Sequence, residues 1–222
     1  MAMRNLKQAV KGLARRVGLK RDVGAPIGRE EGSGFYDTMY AGTPDYHQRY
    51  EQSFYYFLWS VIVDRIRAAG IKRVLEIGCG PGQLAAYLLD QGIEGYVGLD
   101  FSPQAIEMAR KHAPRGQFVV GDAREPAIHR TTEHGALICT EVLEHITDDL
   151  KVVAAFTAGK RCFCSVPNFP YESHVRHFTD AAEVAARYGR FFDQLSVTTF
   201  RSPRDPSDRF FLLDGVRNTV SE

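Results

Sequence analysis

The residues with the most chemical reach sit in two short stretches. The first is Glu141-Val142-Leu143-Glu144-His145, which follows an apolar run at 136–140. On a helical turn, residues i, i+3 and i+4 share a face. The spacing therefore predicts that Glu141, Glu144 and His145 point together, while Val142, Leu143 and Ile146 pack inward. Two carboxylates and an imidazole suit a divalent ion such as Mg²⁺, Mn²⁺ or Zn²⁺. A fourth ligand is available from Ser173-His174-Val175-Arg176-His177. Without a metal, the glutamate would anchor the turn and His145 or His177 would act as general base, because imidazole titrates near neutral pH.

The second stretch is Val74-Leu75-Glu76-Ile77-Gly78-Cys79-Gly80-Pro81-Gly82. It reads as a buried strand running into a glycine turn and then a helix. Glycines let a backbone approach a ligand closely, and ligands of open α/β sheets bind at the carboxyl ends of strands. The dinucleotide fingerprint G-x-G-x-x-G fails, since residue 83 is Gln. No Lys follows the glycines, so a phosphate-cradling loop is excluded as well. The next strand ends at Asp100, placed like an acid that binds ribose hydroxyls. The third ends in Gly121-Asp122-Ala123. Together these features predict a nucleoside ligand without a polyphosphate.

These residues need a sheet to hold them. Strands are expected at 73–77, 96–99, 118–120, 136–140, 161–165, 192–200 and 210–216. Helices are expected at 46–69, 82–91, 103–112, 148–158 and 179–188, the third opened by Ser102-Pro103 as cap and first residue. Alternation of this kind predicts an α/β, Rossmann-like doubly wound sheet of seven strands. The last two strands have no helix between them and should form an antiparallel pair. The stretch 22–34, rich in glycine, reads as a linker. It divides a 1–34 arm and linker from a domain over 35–222.

The chain has 222 residues, 44% of them hydrophobic and 25% charged, as expected of a globular protein. Its formal net charge of +1 hides an asymmetry. Arg4, Lys7, Lys11, Arg15, Arg16, Lys20 and Arg21 are basic, with no acid among the first 21 residues. The remainder is acidic, which disfavours a nucleic-acid partner. Leu6, Val10, Leu13 and Val17 fall at helical spacing. Three readings stand for this arm: a helix packed on the domain, peripheral contact with a membrane surface, or binding to another anionic partner. Cys79, Cys139, Cys162 and Cys164 form no C-x-x-C pair and read as reduced thiols. With no apolar leader run, the expected location is cytoplasmic, with the arm able to reach the inner face of the membrane.

The loop and the acids resemble the class I S-adenosylmethionine-dependent methyltransferases, whose first motif is E-x-G-x-G-x-G. The resemblance runs from about residue 35 to the C-terminus. It implies that Gly78, Gly80 and Gly82 line the methionine side of S-adenosyl-L-methionine. Glu76 and Cys79 belong to the same motif, and Glu141 lies beside the donor. Asp100 would bind the ribose hydroxyls with Phe101 beside the adenine, and Asp122 would accept from the adenine amino group next to Ala123. The Glu141/Glu144/His145 spacing resembles two metal-dependent branches. These are the O-methyltransferases of ubiquinone biosynthesis and the enzymes that methylate small RNAs at the terminal 2′-hydroxyl. Both add a distant histidine, and His177, in Arg176-His177-Phe178-Thr179, is better placed for it than His174. The resulting expectation is O-methylation of a hydroxylated small molecule or glycan, with or without a divalent cation. A non-catalytic donor-binding subunit is the rival from another class. A segment 35–40 should act as a lid, with aromatic residues at 36–50 and 167–171 facing the acceptor.

Overall fold

The computed structural model describes residues 28–219. Seven strands form one sheet: β1 (Arg73–Ile77), β2 (Gly95–Asp100), β3 (Gln117–Val120), β4 (Ala136–Thr140), β5 (Arg161–Pro167), β6 (Phe192–Arg201) and β7 (Arg209–Arg217). Their order is β3-β2-β1-β4-β5-β7-β6. The first five run parallel, and β7 inserts antiparallel between β5 and β6. The expected doubly wound sheet with a closing antiparallel pair is therefore present.

Strand alternation splits the core between two faces. Val74, Tyr96, Ile138 and Phe163 pack with Leu58, Leu88 and Ile106 from α2 (Tyr56–Ala68), α3 (Gln83–Asp90) and α4 (Pro103–His112). Leu75, Leu137, Cys139 and Leu213 pack with Val152, Val153 and Val184 from α6 (Asp149–Ala155) and α7 (Ala181–Tyr188). All four cysteines are buried and free. Ser102 caps α4 by accepting from the Ala105 N–H at 3.0 Å, with Pro103 at its first position. Among the described residues, no helix is long and apolar enough to cross a membrane.

Three expectations need correction. The helix expected at 46–69 is broken: short 3₁₀ turns at Pro44–His47 and Tyr50–Gln52 precede α2, and Gln48 and Ser53 are extended. Aromatic packing fixes this path, with Tyr50 stacked on Tyr87 at 4.8 Å and Tyr55 edge-on to Phe210. A short helix, α5 (Pro126–Thr131), occupies a stretch expected to be loop. Residues 28–34 lie on the domain and lead directly into α1 (Ser33–Gly42). The Gly28 and Arg29 N–H groups donate to the carbonyls of His174 and Glu172. A Cβ on Gly28 would fall 2.2 Å from the Glu172 carbonyl oxygen, so this glycine permits close approach. The amphipathic stretch expected at 4–20 lies outside the described residues.

Candidate active site

The β1–β2 register pairs Ile77 with Leu99, so Gly78 and Asp100 leave the sheet side by side. Gly78, Gly80 and Gly82 all have positive φ, at 72°, 51° and 79°. Two of them also lack room for a side chain. A Cβ on Gly78 would lie 2.2 Å from Val142 Cγ2, and one on Gly82 would lie 2.8 Å from the Ala109 backbone. The loop curls around the Asp100 carboxylate, which accepts from the Gly80 and Ser102 N–H groups at 2.9 Å each. Burial pushes the Asp100 carboxyl up to about 6, against the pull of those two N–H donors. Each oxygen keeps a second lone pair for a ligand hydroxyl. Glu76, also buried, is raised to about 8 by burial and accepts from the Tyr96 hydroxyl.

Helix α1 closes the top. Its Asp37 accepts from the Ser102 hydroxyl and the Gln104 N–H, which ties α1 to the start of α4. Tyr36 then packs 5.2 Å from the Phe101 ring and edge-on to His145, and Tyr40 stands over Gly80. Residues 36–40 thus cover Phe101, His145 and Gly80. Beneath them, a small cavity of about 80 Å³ is lined by Leu99, Asp100, Phe101, Asp122, Ala123 and Val142. Asp122 does not stand alone there. Both its oxygens hold the Arg124 guanidinium, which lowers its pKa, and Arg124 reaches on to Glu30 at 2.8 Å. Glu30 also accepts from the Thr147 N–H at 2.8 Å. No spacing in the sequence marks Glu30 or Arg124, because residue 30 meets the loop only through the fold.

A larger cavity of about 340 Å³ adjoins the glycine loop on the other side. Tyr46, Phe54, Tyr55, Phe169, Tyr171 and Arg204 line its wall, and Glu141, Glu144, His145 and His174 its floor. Glu141 takes left-handed backbone geometry at φ 55°, which is uncommon for a side-chain-bearing residue. The β4–β5 register, Thr140 to Ser165, holds it there. Its N–H donates to the Ser165 carbonyl at 3.1 Å, and its Oε1 accepts from the Ser165 hydroxyl at 2.7 Å. Burial raises its carboxyl to about 8.

Glu144 sits on the 3₁₀ turn Leu143–His145 and is wholly buried. Neither of its carboxylate oxygens has a hydrogen-bond partner. Burial, reinforced by Glu141, raises its pKa well above the usual carboxylate range. His145 Nε2 lies 3.7 Å from Glu144 Oε1. This is no ion pair, because burial lowers the imidazole to about 4 and the ring is neutral. His145 Nδ1 faces the Ser173 carbonyl at 3.0 Å and His174 Nδ1 the Phe169 carbonyl at 2.9 Å. A carbonyl only accepts, so both Nδ1 atoms carry the proton and both Nε2 lone pairs are free. Burial likewise pushes His174 down to about 3. Ligand atoms of Glu144, His145 and His174 all lie within 4.8 Å of one another. Orphaned carboxylate oxygens beside two neutral, carbonyl-anchored imidazoles fit a divalent cation.

The structure brings His174 to this cluster where the sequence favoured His177. The Val175 N–H donates to the Glu144 carbonyl, and the Ser173 carbonyl faces His145. Anchored on both sides, the chain lays the intervening His174 ring over the turn. His177 lies in a separate cleft with Leu150, Phe178 and Glu183. Glu141 lines both cavities but does not join the close group, because Ser165 holds its carboxylate.

Residues 74–162 match a family described as "Methyltransferase domain". The chain is 37% identical over 121 residues to a ubiquinone biosynthesis O-methyltransferase of Aromatoleum aromaticum, covering 51% of each chain. It is 35% identical over 86 residues to the protein of that name from Aliivibrio fischeri, covering 37% of this chain and 36% of the relative. The chain thus matches about half or less of these relatives' length. A solved magnesium protoporphyrin IX methyltransferase from Synechocystis, with bound S-adenosylmethionine, shares the fold at a TM-score of 0.64 and 16% identity. That likeness covers 85% of this chain and 98% of the other. The match over residues 74–162, together with the glycine loop and the strand order, identifies a class I S-adenosylmethionine-dependent methyltransferase domain in this chain.

Proposed function

We propose that the protein transfers the methyl group of S-adenosyl-L-methionine to a hydroxyl oxygen of a small molecule or glycan, and that a divalent cation held by Glu144, His145 and His174 assists. One observation carries this reading. A carboxylate with no partner and two neutral imidazoles share the floor of a cavity that opens beside the glycine loop. The O-methyltransferase names of the curated relatives support it. The aromatic wall favours a flat, hydroxylated ring as the acceptor.

The donor's sulfonium supplies an already activated methyl, so the protein has chiefly to align the partners and exclude water. Asp100, through its free lone pairs, holds the ribose hydroxyls. The glycine turn admits the methionine end where any side chain would collide. Tyr36 and Tyr40 on α1 cover the reacting region. The Ser173 and Phe169 carbonyls keep the proton of each ring on Nδ1 and aim both Nε2 atoms at the cavity. Glu144, short of partners, would lose its proton and supply negative charge to a bound cation. A bound divalent cation would lower the acceptor hydroxyl's pKa and orient it. In its absence, the same Nε2 atom of His145 is a neutral acceptor for the hydroxyl proton.

Manganese calorimetry on chelator-treated full-length protein tests the cation. Binding by the wild type and its loss in Glu144→Gln are expected. No binding by either would remove the cation from the reading and leave His145 as base. Methyl transfer to a panel of catechols and hydroxylated glycans, against a short RNA, tests the acceptor. Transfer confined to RNA would overturn the small-molecule assignment. For residues 1–21, outside the described residues, we propose contact with an anionic membrane surface from the cytoplasmic side. Equal co-sedimentation of the full chain and its Lys7/Lys11/Arg15/Arg16→Glu variant with anionic vesicles would reject that.

A further inference from the structure

The turn that carries Glu144 and His145 is only three residues long and leaves its own carbonyls without intrahelical partners. The Glu144 carbonyl accepts from the Val175 N–H, and one side chain takes up that of Leu143 together with the two carbonyls that follow the turn. The Arg176 guanidinium donates to the carbonyls of Leu143, Ile146 and Thr147, the last at 2.9 Å. It also lies 3.3 Å from the Asp149 carboxylate, which is fully buried at the start of α6. The Arg187 fork, at 2.8 and 2.6 Å, and the Tyr188 hydroxyl, at 2.7 Å, hold Asp149 from α7. Arg176 follows Ser173, His174 and Val175, whose backbone is docked on the same turn. A single guanidinium thus joins the two segments that supply the cation ligands.

We propose that Arg176, drawn in by Asp149, is a positioning residue that sets the distance between the Glu144–His145 turn and His174. The assignment rests on the reading of those three side chains as the working cluster. A planar guanidinium serves three carbonyls and a carboxylate at once, whereas a lysine ammonium is a point charge without that fork. Arg187 touches Asp149 but no atom of the turn, and provides the control for a merely structural role. Partners behind metal ligands typically change metal affinity by about 10–100-fold when altered.

The test uses full-length, chelator-treated protein with ¹⁵N-labelled histidine, the ring signals assigned with His145→Gln and His174→Gln. Arg176→Lys is expected to move the ring resonances of both His145 and His174, and Arg187→Met to lower the melting temperature while leaving them in place. Binding of S-adenosylhomocysteine, read by calorimetry, stays within about twofold in both, since neither touches the Asp100 cradle. Where the wild type binds Mn²⁺, Arg176→Lys weakens it by about 10–100-fold. Should Arg176→Lys not fold, Arg176→Gln carries the same expectation, because it removes the guanidinium from the turn and leaves Arg187 and Tyr188 on Asp149. Unchanged ring resonances in the folded variant, or equal movement in Arg187→Met, would overturn the positioning role. A wild type that binds no Mn²⁺ but shows the selective ring shifts would discard the cation and uphold the role of Arg176.

Discussion

The donor cradle and the acceptor floor meet at Gly78 and Val142, yet they are built in opposite ways. The cradle is backbone: three glycines with positive φ, and one carboxylate whose two oxygens accept local N–H groups. Its parts come from adjacent strand ends, and its polar atoms are satisfied before any ligand arrives. The floor is side chain: Glu144, His145 and His174 come from two loops about thirty residues apart, and both Glu144 oxygens lack partners. The first region is complete as folded, whereas the second carries an unmet electrostatic demand. A buried polar group without a partner costs stability, a cost that the proposed cation would offset.

Breaking the cradle should have the largest effect. In Gly82→Val, strain at φ 79° adds to collision with the Ala109 backbone. Calorimetry should find no S-adenosylmethionine binding, and the melting temperature should fall by several degrees. Next comes Glu144→Gln, where the two regions should separate in sign. Cation binding should weaken at least as much as the about 10–100-fold seen for outer-shell partners. The chelator-treated protein should melt at the same or a higher temperature, because the cost of keeping a buried carboxyl protonated, when the unfolded chain would ionise it, has been removed. A lower melting temperature would mean that Glu144 stabilises the fold and carries no unmet demand.

Asp100→Asn should cost about 10–100-fold in donor affinity, the worth of charged hydrogen bonds at about 1.5–3 kcal/mol. The pH dependence has a definite sign. The Asp100 carboxyl is raised to about 6, so it binds a proton in the folded protein at pH values where the unfolded chain does not. It therefore subtracts stability as pH rises from about 4 to 6. Its capacity to accept two ribose hydroxyls is present above about pH 6 and lost below. Donor affinity in the wild type should fall as pH is lowered through about 6, and in Asp100→Asn it should be flat. The smallest effect is expected from Ser165→Ala, which removes one hydroxyl from Glu141. Thermal unfolding should register about 1 kcal/mol, or about 2–4 °C for a chain of this size.

The same contrast explains what the sequence could reveal. Glu76, Gly78, Gly80, Gly82 and Asp100 were legible because a strand, a turn and the next strand end are local, and glycine has few other reasons to recur at that spacing. Most of the strands were legible from apolar runs, whereas β6, with Asp193, Gln194, Ser196, Thr198 and Thr199, was legible from its β-branched and aromatic residues. Glu144 and His145 were legible as a pair on one turn. The choice between His174 and His177 was not, since it depends on how the segment after β5 docks on the turn through Ser173 and Val175. Glu30, Arg124 and Arg176 escaped notice for the same reason, each being an ordinary charged residue until the fold gives it partners. Pro44 and Pro126, each at the first position of a short helical piece, were the available signals for the broken 46–69 segment and for α5. Gly28 misled, because a residue that permits close contact looks the same in sequence as one that permits flexibility.

The most direct test of the account is calorimetric titration of Mn²⁺ into chelator-treated, full-length wild type, His174→Gln and His177→Gln. The account predicts saturable binding by the wild type, strong loss in His174→Gln and no loss in His177→Gln. Binding that survives in His174→Gln and disappears in His177→Gln, or no binding to the wild type, would contradict it.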